Sequence, residues 1–270
     1  MRTRALVLCA IAATAIACNA ASLFRQYEYE EEMFLSLDGS ATVYVHSSIA
    51  ALNALRGTSF DASSPRLDRD AVRDYFQAPG VRVAAINQFR RSGRRFVHVR
   101  LDVDDVRRLS STPPFRWSTY RFDLPGTRCP GRVASEGDHF VYEQTVGERA
   151  ADPADTGVHG AAAGQARSGR APAWTGKELV AFRLHLPSKI DYHNTPTHEV
   201  GRGNILTWEQ PLADRLRGVP LTLQACMQRQ SILYRTLWLF GVTFIAVAFV
   251  FVLVIAWVLK KGKPVEARMG

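Results

Sequence analysis

Apolar and polar residues alternate along most of the chain, and short segments of helical period interrupt the alternation. Met33, Leu35 and Leu37 alternate, and so do Ala41, Val43 and Val45. A period of two places each set on one face of a strand. Between them Asp38-Gly39-Ser40 reads as a three-residue turn. That turn pairs Leu37 with Ala41, Leu35 with Val43 and Met33 with Val45, so that six apolar side chains share a face. Upstream, residues 25–32 extend the first strand with an exposed acidic side. Two short amphipathic helices follow. Ser48 caps the first, which carries Ile49, Leu52 and Leu55 and stops at Gly57. Asp68 caps the second, where Val72, Tyr75 and Phe76 share a face before Pro79-Gly80.

Strands then resume over 81–90 and 94–103, joined at Ser92-Gly93, with Val97, Val99, Leu101 and Val103 on one side. Residues 104–109 read as a helical turn, and 115–124 and 139–146 as a pair of strands. The stretch 147–176 is dense in Ala, Gly, Asp, Pro and Arg, and is expected as a flexible insertion. Order returns at 178–186, where Val180, Phe182, Leu184 and Leu186 share a face. Residues 187–196 read as a loop, 197–209 as a strand pair or bent strand around Gly201 and Gly203, and 211–217 as a short helical turn. Val219, Leu221, Leu223 and Ala225 form a last strand. Many strands and few helices make an α+β plan.

The C-terminal pattern is different. Residues 237–259 contain no charge and are flanked by Arg235 and by Lys260, Lys261 and Lys263. As a helix this run reaches about 34 Å, enough to cross a hydrocarbon core of about 30 Å. The basic excess in 260–270 predicts a cytoplasmic tail. At the other end Arg2 and Arg4 precede an apolar run, 5–17, too short to span comfortably, as in an export signal. The expected organisation is a signal over 1–18, an exported domain over 19–230, a transmembrane helix over 231–260 and a tail over 261–270. The body is then extracytoplasmic on a bacterial cell membrane.

Composition narrows the partners. The formal net charge is +9, carried mostly by Arg. A basic, exported, tethered domain meets anionic lipid headgroups or an acidic envelope polymer, and export argues against nucleic acid. The run Arg90-Arg91-Ser92-Gly93-Arg94-Arg95 is the strongest basic patch, and its four arginines are the candidate headgroup contacts. Of the four cysteines, Cys9 lies in the signal. Cys129 and Cys226 can pair in an oxidising compartment, and two free thiols fit the sequence equally well.

Ala15-Ile16-Ala17-Cys18 resembles the bacterial lipobox, which makes Cys18 the candidate lipidation site; Ala15 stands where that motif most often has Leu. Together with Leu37-Asp38-Gly39-Ser40-Ala41, Arg94-Arg95-Phe96-Val97-His98-Val99, Phe182-Arg183-Leu184-His185-Leu186-Pro187, Gly203-Asn204-Ile205-Leu206-Thr207-Trp208 and the apolar run with its basic tail, it makes the chain similar to LppM-type bacterial envelope lipoproteins. The resemblance implies a curved antiparallel sheet, partly barrel-like, with two short helices on one side. It also implies an apolar interior able to take lipid and a role in binding envelope glycolipids.

Catalytic signatures are sparse. Asp191, His193, His198 and Glu199 are the residue types that ligate zinc, yet Pro196 between the two histidines rules out the regular helix of an HExxH site. No GxSxG, Walker or GxGxxG pattern occurs. No catalysis, metal or cofactor is therefore expected. The expectation is a membrane-anchored protein that binds or senses lipid. A scaffold meeting another envelope protein is the alternative, and a metal-dependent hydrolase using His193 and His198 the remote one.

Overall fold

The computed structural model describes residues 25–64, 66–123, 129, 139–147 and 174–261. The expected signal segment with Cys18, nearly all of the expected insertion and residues 262–270 lie outside the described residues. Among the described residues ten strands form two sheets. They are β1 (Tyr27–Leu35), β2 (Ala41–Ser48), β3 (Val81–Arg91), β4 (Arg94–Val103), β5 (Ser118–Asp123), β6 (His139–Val146), β7 (Leu179–His185), β8 (Ser188–His193), β9 (Ile205–Pro211) and β10 (Leu221–Ser231). The larger sheet runs β3-β4-β2-β1-β7-β9 and the smaller β5-β6-β10-β8. Helices α1 (Ile49–Arg56) and α2 (Arg69–Phe76) follow β2, α3 (Leu212–Leu216) follows β9, and α4 (Ile232–Lys261) follows β10.

One face of the larger sheet packs against the smaller sheet and the short helices, and the core lies between them. Tyr29, Met33, Val43, Val45, Val99, Leu101, Phe182, Leu184 and Trp208 from the first meet Trp117, Tyr120, Tyr142 and Leu223 from the second. Tyr29 sits edge-on to Trp117 with ring centres 5.3 Å apart. The caps form where the sequence places them. Ser48 Oγ accepts from Ala51 N, Gly57 ends α1 in the left-handed region at φ 65°, and Asp68 accepts from Asp70 N and Ala71 N.

Several expectations are corrected. The sheet is not purely antiparallel, because β7 lies parallel to β1. Alternation is the same whichever way a strand runs, so it cannot encode direction. Nor is a closed barrel formed among the described residues: the larger sheet ends at β3 and β9, the smaller at β5 and β8. The β3 edge is instead blocked by α2, where Gln77 both accepts from Val83 N at 3.1 Å and donates to Val81 O at 3.0 Å.

The first hairpin keeps its predicted inward face but shifts register. Leu35 pairs with Ala41 and Met33 with Val43. Leu37 falls into the turn because Ser36 N bonds Ser40 O at 2.8 Å, with Asp38 accepting from both Ser40 N and Ser40 Oγ. The acidic side of β1 is not exposed either, since Glu28 and Glu31 are buried. Residues 188–193 form an edge strand rather than a loop. Most of its residues are only half-buried, so no alternation marks it.

The last strand runs on to Ser231, and α4 starts at the next residue. Ile232 N still donates to Pro187 O at 3.1 Å. Helix α4 has 30 residues, about 45 Å, and no part of its apolar window is covered by the other described residues. It is long and apolar enough to cross a membrane.

Candidate functional site

The register of the larger sheet fixes which features share an end. Arg91 pairs with Arg94 at one end of β3 and β4, and Val81 with Val103 at the other. Val103 lies beside Ala41, Ala41 beside Leu35, and Phe34 beside His185. His185 leads through Pro187 to the first residue of α4. The arginine hairpin and the start of α4 therefore stand at opposite ends of the sheet. The 10 residues of β4 put about 30 Å between those ends.

The hairpin itself is largely consumed by the fold. Arg94 pairs with the buried Glu28, and its other nitrogen lies 3.6 Å from Glu178. Arg95 points to the inner side and is only 4% exposed. Arg91 donates to Tyr27 O and lies 4.4 Å over the Phe96 ring. Arg90 and Arg91 are exposed, and so is the neighbouring Phe89. The contiguous run of basic letters thus leaves two of its four arginines on the surface.

At the α4 end, Asn204 Nδ2 donates to Ser188 O at 2.8 Å, and Leu186 N donates to Asn204 O at 3.2 Å. These bonds seat the turn 201–204 beside the helix entry. Val200, Arg202 and Lys189 are exposed there. A shallow cleft of about 330 Å³, lined by Gly80, Asp104, Asp105, Arg108 and Thr112, opens near the same end of the sheet. It is a small surface feature of mixed polar and apolar lining, and where the resemblance implies an apolar interior able to take lipid, the described residues place the chain's own aromatic side chains.

Between the sheets lies a buried polar centre. Glu31 accepts from Tyr29 at 2.9 Å and Arg56 at 3.0 Å through one oxygen, and from Tyr120 at 3.3 Å and Gln144 at 3.2 Å through the other. The Arg56 guanidinium stacks 3.8 Å over Trp117. Burial pushes the Tyr29, Tyr120 and Tyr142 phenols well above their ordinary range, so all three stay neutral. The centre ties α1 and both sheets together. Arg56 Nε and Nη1 have no hydrogen-bond partner among the described residues.

The outer face of the larger sheet is uncovered by any described element. Asn87, His98, His46 and Glu30 lie side by side on four adjacent strands. The His46 and His98 ring centres are 4.0 Å apart, with the planes at 74°. Burial, and for His46 the adjoining His98, hold both imidazoles below their usual value. Beside them Phe34 stacks on His185 at 3.8 Å, His185 bonds Glu32 at 2.6 Å, and Arg183 pairs with Glu30.

His193 and His198 are not assembled into a centre. His193 Nδ1 lies 2.8 Å from Thr195 Oγ1, and Asn194 staples the turn by accepting from Trp208 Nε1 at 2.9 Å and Gln224 N at 2.8 Å. Among the described residues no group of three or more His, Cys, Asp or Glu side chains is placed to hold a metal. Cys129 and Cys226, by contrast, are brought together, with their sulfurs joined and Cα atoms 5.9 Å apart. They form a small cluster of their own with Val141 and Tyr192.

The chain matches no family model and no curated protein. A search of solved structures finds the NMR structure of the Mycobacterium tuberculosis LppM folded domain, 12% identical, covering 76% of this chain and 92% of that one at a TM-score of 0.33. This is a weak, fold-level likeness, and no residue role is carried over from it.

Proposed function

We propose that the chain is a single-pass membrane protein whose β domain lies outside the cytoplasm and acts by binding, reading the lipid surface against which it is held. The observation that carries this reading is the join at Ser231 and Ile232. A strand that becomes the helix with no intervening linker, and stays bonded to Pro187 at the crossing point, keeps the domain close to the headgroups. The exposed Lys189 and Arg202 at that end supply charge suited to anionic lipid, each basic group near such a surface adding about 1 kcal/mol.

The test uses the full chain in nanodiscs of zwitterionic or mixed anionic lipid, read by hydrogen exchange. Anionic lipid should slow exchange around 186–190 and 200–204 and leave 90–95 unchanged. Equal exchange in both lipids would overturn the lipid reading. The arrangement of Phe89 and Arg90 at the far end supports a second reading, a scaffold meeting another envelope protein with the end that points away from α4. Stoichiometric co-purification of one protein that is lost in Phe89→Ser would favour it.

Compartment has its own check. In whole cells an impermeant thiol reagent should label a cysteine introduced at Thr119, and should leave one introduced at Lys263 unlabelled until lysis. Maleimide capture on the exported protein should find Cys129 and Cys226 blocked until a reductant is added. Free thiols at both positions would place the domain in a reducing compartment.

A further inference from the structure

Independently of that reading, we propose that His46 and His98 form a two-histidine chelating site for a divalent transition-metal ion of the copper, nickel and zinc class on the outer face of the larger sheet. The two residues are directly opposite one another on β2 and β4. Opposed positions hold Cβ atoms about 4.5–5.5 Å apart, which lets two imidazoles converge on one ion from neighbouring strands. Their ring centres already stand 4.0 Å apart, and the planes cross at 74° instead of stacking, so a small side-chain rotation presents both nitrogen edges to one point. The strands beneath are interior members of the sheet, with β1 and β3 flanking them. The backbone of the site is therefore fixed before any ion arrives.

A second observation points the same way. His185, His139 and His193 all have a hydrogen-bonded ring nitrogen. His46 and His98 contact Tyr44 and each other through their rings and have no hydrogen-bond partner among the described residues. Half-buried imidazoles with no protein partner on either nitrogen retain their full donor capacity for a ligand. The flanking chemistry limits what binds. Glu30 is adjacent to His46 in register, but its carboxylate is held by Arg183, so the described residues supply two nitrogens and no third donor. A site of nitrogen ligands with open positions suits copper, nickel and zinc and disfavours calcium and magnesium, which require oxygen. Water, or a donor on a partner, completes the coordination sphere.

The experiment uses the tag-free full chain in detergent, stripped with chelator and titrated with each metal chloride alone. One equivalent of Cu²⁺ should bind more tightly than Ni²⁺ or Zn²⁺. The bound copper should show an electron-spin signal split by two histidine nitrogens, and excess metal should raise the melting temperature. His46→Ala and His98→Ala should each lose the two-nitrogen signal and the thermal shift, while His185→Ala and His193→Ala keep both. If an alanine variant fails to fold, His46→Gln and His98→Gln replace it. Zn²⁺ protection of the two rings from diethyl pyrocarbonate in the unaltered chain provides a measurement that needs no variant. Two-nitrogen copper binding that survives when His46→Ala and His98→Ala are combined, or no binding and no protection at millimolar metal, overturns the site.

Discussion

Replacing Arg56 with Ala should destabilise the domain by about 3–5 kcal/mol, a large part of the roughly 5–15 kcal/mol that holds a domain of this size together. The cause is what remains behind. Glu31 is 3% exposed and would be left between the two sheets without its counter-ion, while the face of Trp117 would lose the guanidinium stacked on it. Arg56→Lys should recover little of the loss, because a single ammonium cannot bond Tyr29 and Glu31 together and cover an indole. The double change Glu31→Leu with Arg56→Met should recover only part of it, because Tyr29, Tyr120 and Gln144 lose the acceptor they share. Removing both charges also removes their desolvation cost, and Arg56 already leaves two nitrogens unpartnered. Urea denaturation of the full chain in detergent, followed by tryptophan fluorescence, measures all three. A double variant as unstable as Arg56→Ala would show that the polar centre does more than balance its own charges.

Trp208→Ala should have a comparable effect, about 3–5 kcal/mol. The ring is 1% exposed in the core, and its Nε1 reaches across to Asn194, which also receives Gln224 N from β10. The indole therefore fills volume in the larger sheet and anchors the segment that follows β8. Trp208→Phe isolates the second role. Most of the volume is retained, and the missing hydrogen bond should cost about 0.5–1.5 kcal/mol. Hydrogen exchange should then quicken around 193–196 and 224 while the inner strands keep their protection. Uniform quickening would mean that the ring acts through packing alone.

Much of this arrangement was legible in the sequence. Strand parity, both helix caps, the hairpin at Ser92-Gly93 and the apolar C-terminal run all follow from local chemistry. What parity cannot carry is strand direction or neighbour, so the parallel placement of β7 beside β1 was invisible. The polar centre did leave a trace. Glu31 occupies the same parity as Met33 and Leu35, and Arg56 follows Ile49 and Leu52 at helical spacing, so each charge sits where its element demands an apolar residue. Two such violations in elements that pack together indicate a buried pair. The histidine pair had no comparable signal, because His46 and His98 become opposite only through the β2–β4 register, which joins residues 52 positions apart. The arginine hairpin shows the converse. Charge density along the chain overstated what reaches the surface, because Glu28 and Glu178 are brought to Arg94 from distant parts of the chain.

The chain enters the larger sheet at Tyr27 from the end opposite to the one where α4 leaves, and β1, with 9 residues, covers about 30 Å. The stretch from Cys18 to Tyr27 also reaches about 30 Å when drawn out straight. A molecule moored at both Cys18 and α4 in one bilayer thus has almost no slack. Standing upright would pull that stretch fully taut, so such a molecule is biased to recline, with one broad flank turned toward the bilayer, whereas a molecule moored by α4 alone is free to stand upright.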